Sequence, residues 1–213
     1  MIALIALVLS AQAGKDPCAE RSEEEQVAFA GTLEGMHTQL TDSQTQEGAE
    51  DLTDKLAKEV MGFIKKGELC TLEQRFWGAL ILVSSTKEKY VVEGHDMAVY
   101  ILEERHPRGA WLMGLAHDRK SVARGAVQAY GTQTRVENGK RCLIWTDLGY
   151  SDDLRKQYGY PTLEKTVANI LAINGFQGVQ PTVLELKKRD LWCKPEPWDG
   201  SRSDLRDPYD GRQ

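Results

Sequence analysis

The stretch Ala123–Asp147, ARGAVQAYGTQTRVENGKRCLIWTD, decides the fold class. It leaves a helix at Gly125, where a left-handed C-terminal cap is expected. It then runs through strand-like residues to Asn138-Gly139, the pair preferred in a type I′ hairpin turn. Val127 to Val136 and Lys140 to Asp147 are therefore expected to pair, with Tyr130 opposite Asp147 and Thr132 opposite Trp145. One hairpin among helices makes the class α+β, mostly α, rather than a plain bundle.

Working outward, the upstream residues carry helical spacing. Ser22 to Leu40 starts with a Ser22/Glu25 capping box, and Ala49 to Lys66 places Leu52, Leu56, Val60 and Phe63 on one stripe. Thr71 to Gln74 forms a second capping box before an apolar helix through Phe76, Trp77, Leu80 and Val83, with Ser84-Ser85-Thr86 at its boundary. Lys87 to Glu104 continues as a helix, His106-Pro107 breaks the chain, and Arg108 to Arg124 forms the next helix. Ser151 and Thr162 cap two shorter helices. Antiparallel packing is the simplest arrangement for these helices. Residues 14–193 are read as one domain with the hairpin at 127–147, and 194–213, rich in Pro, Gly and mixed charge, as a flexible tail.

The chain has 213 residues and a net charge of -5. That balance, with basic residues scattered among acids, argues against a nucleic-acid binder. Residues 1–13, MIALIALVLSAQA, read as a signal peptide, with Ala11-Gln12-Ala13 as the small-x-small cleavage pattern. The segment is short and has no leading basic residue, as expected if the true start codon lies further upstream. The apolar run is too short to span a bilayer as a helix. Export, to the periplasm or the exterior, permits disulfides among Cys18, Cys70, Cys142 and Cys193. Three pairings are open. Joining neighbouring parts of the chain favours Cys18–Cys70 and Cys142–Cys193, each contributing about 3–4 kcal/mol in the loop-entropy picture.

The chemistry concentrates around the opening stretch. Trp111, Leu115, Asp118 and Val122 share one helical stripe, and a carboxylate among apolar side chains needs a partner. Arg119 points about a quarter-turn away, so Arg155, Tyr130 or a hairpin amide are the candidate partners. Gln128, Tyr130 and Thr132 alternate onto one strand face, while Ala129 and Gly131 on the other allow close approach. This set predicts a polar pocket between helix 108–124 and the hairpin, or else a buried network that docks one on the other.

The run DRKSVARGAVQAYGTQ resembles the signature of a bacterial domain family of unknown function, with Asp-Arg followed by Gly-x-x-Gln-x-Tyr-Gly-Thr-Gln. Asp118, Arg119, Gly125, Gln128, Tyr130, Gly131, Thr132 and Gln133 match it. Arg155, Gly159, Pro161 and Leu163 resemble its closing segment, and the likeness covers roughly Phe76 to Ala172. The family often has a Gln-His pair on the preceding helix, where this chain has Val83-Ser84-Ser85. The resemblance implies a mainly helical fold and a shared polar site, without an established activity.

Two functional expectations follow. The first is a module binding a small polar or anionic ligand, or a partner's polar segment, through Arg119, Gln128, Thr132, Gln133 and Arg155. The second is a hydrolase with Asp118 as general acid or base and Tyr130 and Gln128 positioning the substrate. No phosphate loop, dinucleotide fingerprint or nucleophile elbow is present, so no cofactor is expected. His95-Asp96 and His117-Asp118 superficially suit a metal-dependent phosphohydrolase, but such short dipeptides arise by chance and no metal site is expected. His37 and His106 read as solvent-facing or loop-bound.

Overall fold

The computed structural model describes residues 16–43 and 49–196. The proposed signal peptide and residues 197–213 of the proposed tail lie outside them. The fold is α+β and mostly α: helices α1 (Glu23–Ser43), α2 (Ala49–Lys65), α3 (Leu72–Ser84), α4 (Glu88–Glu103) and α5 (Gly109–Ala123) precede strands β1 (Thr134–Glu137) and β2 (Lys140–Ile144). Helices α6 (Asp152–Gln157), α7 (Leu163–Ile173) and α8 (Val183–Lys188) then lead to strand β3 (Trp192–Cys193).

The caps work as their spacing predicts. Ser22 Oγ accepts from Glu25 N–H while Glu25 Oε2 accepts from Ser22 N–H at 2.7 Å. Thr71 and Gln74 form the second box. Gln74 is fully buried and also donates to Gln26 backbone O and side-chain Oε1, both at 2.8 Å, which fixes α3 against α1. Helix α3 is the centre of the first core, buried continuously from Phe76 to Val83. Helix α4 approaches it closely at Gly94, where an added Cβ would stand 2.8 Å from Leu82 and Val83 side-chain atoms. Asp54 on α2 accepts from Ser85 Oγ at 2.6 Å and from Thr86, which secures the α3–α4 corner. A second core gathers β2, β3, α7 and α8 around Leu143, Leu171, Leu186 and Leu191.

Both favoured disulfides are present: Cys18–Cys70 ties the N-terminal segment to the start of α3, and Cys142–Cys193 ties β2 to β3. They indicate an oxidising environment. Among the described residues, no helix is long and apolar enough to cross a membrane.

The hairpin is shorter than expected. Asn138 and Gly139 have φ of 51° and 76°, as a type I′ turn requires. The antiparallel ladder, however, runs only from Glu137↔Lys140 to Thr134↔Leu143. Upstream of it, Gln128 pairs with Thr146 in parallel sense, so Tyr130 and Thr132 do not continue the ladder. The reason is competition: their N–H groups are claimed by a side chain of α5. Two elements were also missed, α8 and β3, the latter lying parallel to β2. Thr182 caps α8 by accepting from Glu185 N–H, a Ser/Thr-x-x-Glu signal present in the sequence. Lys194 and Glu196, within the expected tail, contact the hairpin: Arg135 donates to Lys194 O at 3.1 Å and pairs with Glu196.

Candidate functional site

Two polar assemblies flank α5. The first is the answer to what Asp118 pairs with. Its carboxylate is fully buried and accepts from four donors of the segment after α5: Ala129 N–H at 2.7 Å, Tyr130 N–H at 3.0 Å, Thr132 N–H at 3.0 Å and Thr132 Oγ1 at 2.9 Å. A carboxylate exchanges hydration for charge-assisted bonds here, which lets an acid sit inside. The geometry depends on two glycines with positive φ. Gly125 (67°) ends α5 and Gly131 (78°) curls the chain so that the amides on either side of it face one carboxylate.

The neighbouring polar residues close the same assembly. Gln128, fully buried, donates to Gln133 O at 2.9 Å and Ile144 O at 2.7 Å, and its Oε1 accepts from Gln133 N–H at 2.7 Å. Arg155 was a candidate partner for Asp118. It instead donates to the carbonyls of Ala129 (2.8 Å), Asp147 (3.0 Å) and Tyr150 (3.0 Å), and pairs with Asp152. Tyr130 is buried among Tyr150, Tyr158 and Tyr160, and its hydroxyl accepts from Tyr150 Oη at 2.7 Å. Burial, reinforced by that bond, pushes its phenol well above the ordinary tyrosine range. Tyr160 donates to Trp111 O and lies against Gly114, where any Cβ would meet its ring at 2.3 Å.

The second assembly is a cleft of about 490 Å³ between α5 and the hairpin, where a polar pocket was expected. Helix α5 contributes Trp111, Leu115 and Arg119, α1 contributes His37 and Thr41, and α3 contributes Leu80, Val83 and Ser84. Thr132, Gln133, Thr134 and Arg141 close it from the hairpin side. Of the predicted site residues, Arg119, Thr132 and Gln133 therefore meet in the cleft. Asp118, Tyr130, Gln128 and Arg155 do not line it. His37 is a correction: it is half-buried on α1, its ring 5.5 Å from Trp77, and burial holds its pKa below the ordinary value. His106 is loop-bound but buried, stacked on Phe76 and bonded to Glu73 at 2.9 Å.

The cleft's electrostatics are one-sided. Arg119 Nη2 donates to Ser85 O at 3.1 Å, and burial depresses the guanidinium pKa, with Glu50 a partial counterweight. Among the described residues no carboxylate reaches Arg119 as an ion pair, and the cleft lining contains no acid. Arg141, exposed at the rim, donates to Thr134 Oγ1 at 3.1 Å. His37 and Arg141 escaped sequence reasoning because they lie far apart in the chain and share no motif. One other group of potential metal ligands, Glu137, Cys142 and Cys193, includes two disulfide sulfurs and so offers no thiolate.

Comparison of the chain with protein-family models, curated proteins and solved structures finds no match.

Proposed function

We propose that the protein binds a small anionic molecule in the cleft beside α5, and that it does so in the periplasm or outside the cell. The observation that carries this reading is Arg119. A desolvated guanidinium without a carboxylate partner is costly on its own, and an anionic ligand would offset that cost. Arg141 adds a second positive charge at the rim, and Thr132, Gln133, Thr134 and His37 offer polar contacts. Trp111, Leu80, Val83 and Leu115 make the remainder apolar, so the favoured ligand joins a carboxylate-like head to an apolar body. The volume is within the usual range for small-molecule sites.

The hydrolase reading is less well supported. Asp118 would have to release four hydrogen-bond donors and reach solvent before it could move a proton. Under the binding reading, the likeness to the signature of a family of unknown function reflects a shared architecture around Asp118. Of the signature residues, Arg119, Thr132 and Gln133 line the cleft, and Arg119 supplies the charge.

Thermal-shift and calorimetric titration with benzoate and with aliphatic carboxylates up to decanoate tests the proposal. At a ligand excess of about 100 Kd the stabilisation should reach about 2.7 kcal/mol, and Arg119→Gln should abolish it. No saturable binding by any of these probes, or undiminished binding by Arg119→Gln, would overturn it.

A further inference from the structure

The opposite flank of α5 carries a separate set of groups. His117, Lys120, Ser121 and Arg124 follow at i, i+3, i+4 and i+7, roughly half a turn around the helix from the cleft. They line a second cavity of about 300 Å³ together with His95 of α4 and Ala126. The two His-Asp dipeptides thus meet, with imidazole centroids 6.5 Å apart.

Each basic group is held from behind. His95 Nδ1 lies 3.0 Å from Asp96 Oδ1 and 3.1 Å from Lys120 Nζ, leaving Nε2 for the cavity. His117 Nδ1 is buried without a hydrogen bond, 3.7 Å from Asp118, so Nε2 is again the nitrogen available. Lys120 is 3.7 Å from Asp96. Arg124 engages Glu88 through Nε at 2.8 Å, and its terminal nitrogens remain for other contacts. The carboxylates stand outside the lining, which presents nitrogen donors and one hydroxyl.

We propose that this flank binds a tetrahedral oxyanion, either free phosphate or sulfate or the terminal group of a small phosphate ester. Two donors bound at about 2.8 Å to different oxygens of one phosphate can stand up to about 8 Å apart, which accommodates the spacing of the two rings. A zinc ion would have to sit beside two cations, Lys120 and Arg124, whereas an anion gains charge-assisted bonds from both.

The site is pH-dependent. Facing it are the cations Lys120 and Arg124 and the carboxylates Asp96, Glu88 and Asp118, so with neutral imidazoles the local charge does not favour an anion. Burial holds His95 below its ordinary value, opposed by its bond to Asp96. Protonation of His95, whose ring faces the cavity beside Lys120, therefore supplies the attraction, and affinity rises as pH falls.

Sulfate tests this well because its charge does not change over the range. Calorimetry on the full chain should show one saturable site, at least about tenfold tighter near pH 5.5 than near pH 8. Joint Lys120→Gln and Arg124→Gln substitution should weaken binding by at least about tenfold, while Lys156→Gln, exposed on α6 outside both cavities, leaves it unchanged. Equal affinity for phosphate and glycerol 3-phosphate would identify the free ion as ligand, and a gain for the ester would identify the ester; both support the site. No saturable sulfate binding near pH 5.5, or equal binding by the double variant, would overturn it. Side-chain NMR of the native protein gives a readout that needs no variant. Saturating sulfate should raise the pKa of His95, and an unchanged value would refute the proposal.

Discussion

Asp118 and Arg119 are adjacent in sequence, yet they belong to assemblies with opposite economies. Around Asp118 the polar groups are consumed by one another: carboxylate by amides, Gln128 by Gln133, Arg155 by three carbonyls. Arg119 instead has one backbone contact and, among the described residues, no carboxylate partner, and it lines an open cleft. A dense run of polar residues therefore marks architecture here, and the cation next to it without a counter-charge marks the candidate site.

The sharpest way to break that contrast is Asp118→Asn. The substituted amide would turn an NH2 group toward amides that already donate, at a cost of about 3–5 kcal/mol. Denaturant unfolding should show the loss, and a change below about 1 kcal/mol would mean that the assembly is not structural. Gly114→Ala tests the tyrosine cluster that seals it. The new methyl collides with the Tyr160 ring, so a loss of about 1–3 kcal/mol is expected in the same measurement.

Acidification should act more gradually. Burial holds His37 and His95 below their ordinary value near 6.5, so the unfolded chain takes up protons first. Stability should then decline as pH falls from about 6.5 toward the folded-state values. Asp54 extends the decline further into acid. Burial opposes ionisation there, but the bonds from Ser85, Lys87 and Thr86 outweigh it and keep its pKa low. Melting curves that stay flat between about pH 7 and 5 would contradict this assignment. The smallest effect is expected from Arg119→Gln. Losing one bond to Ser85 is offset by removing an uncompensated charge, so stability should stay within about 1 kcal/mol of the native protein. A large loss would move Arg119 into the structural assembly and remove the contrast.

Local signals in the sequence were reliable where the interaction itself is local. Ser22, Thr71, Ser151 and Thr162 cap helices because each acceptor lies three residues from its donor. Asn138-Gly139 sets the turn for the same reason. The strand ends were not legible because the N–H groups of Tyr130 and Thr132 go to Asp118, twelve and fourteen residues away, instead of to the ladder. β3 is two residues long and has no period to read; its place depends on parallel pairing to β2. A cleft lies between α5 and the hairpin, but of the residues expected there only Arg119, Thr132 and Gln133 line it. Its full lining was not legible, since His37 and Arg141 converge only through the packing of α1 and β2.

The connectivity of the two disulfides has a consequence for biogenesis. Cys18 joins Cys70 and Cys142 joins Cys193, with sequence separations of 52 and 51, so neither loop encloses or crosses the other. Of these four cysteines, only Cys18 has emerged before Cys70 during synthesis. Once that bond has closed, Cys142 in turn waits alone for Cys193. Uncatalysed disulfide rearrangement takes minutes to hours. A chain oxidised in order of emergence reaches its native pairing with an oxidant alone, without an isomerase to undo wrong bonds.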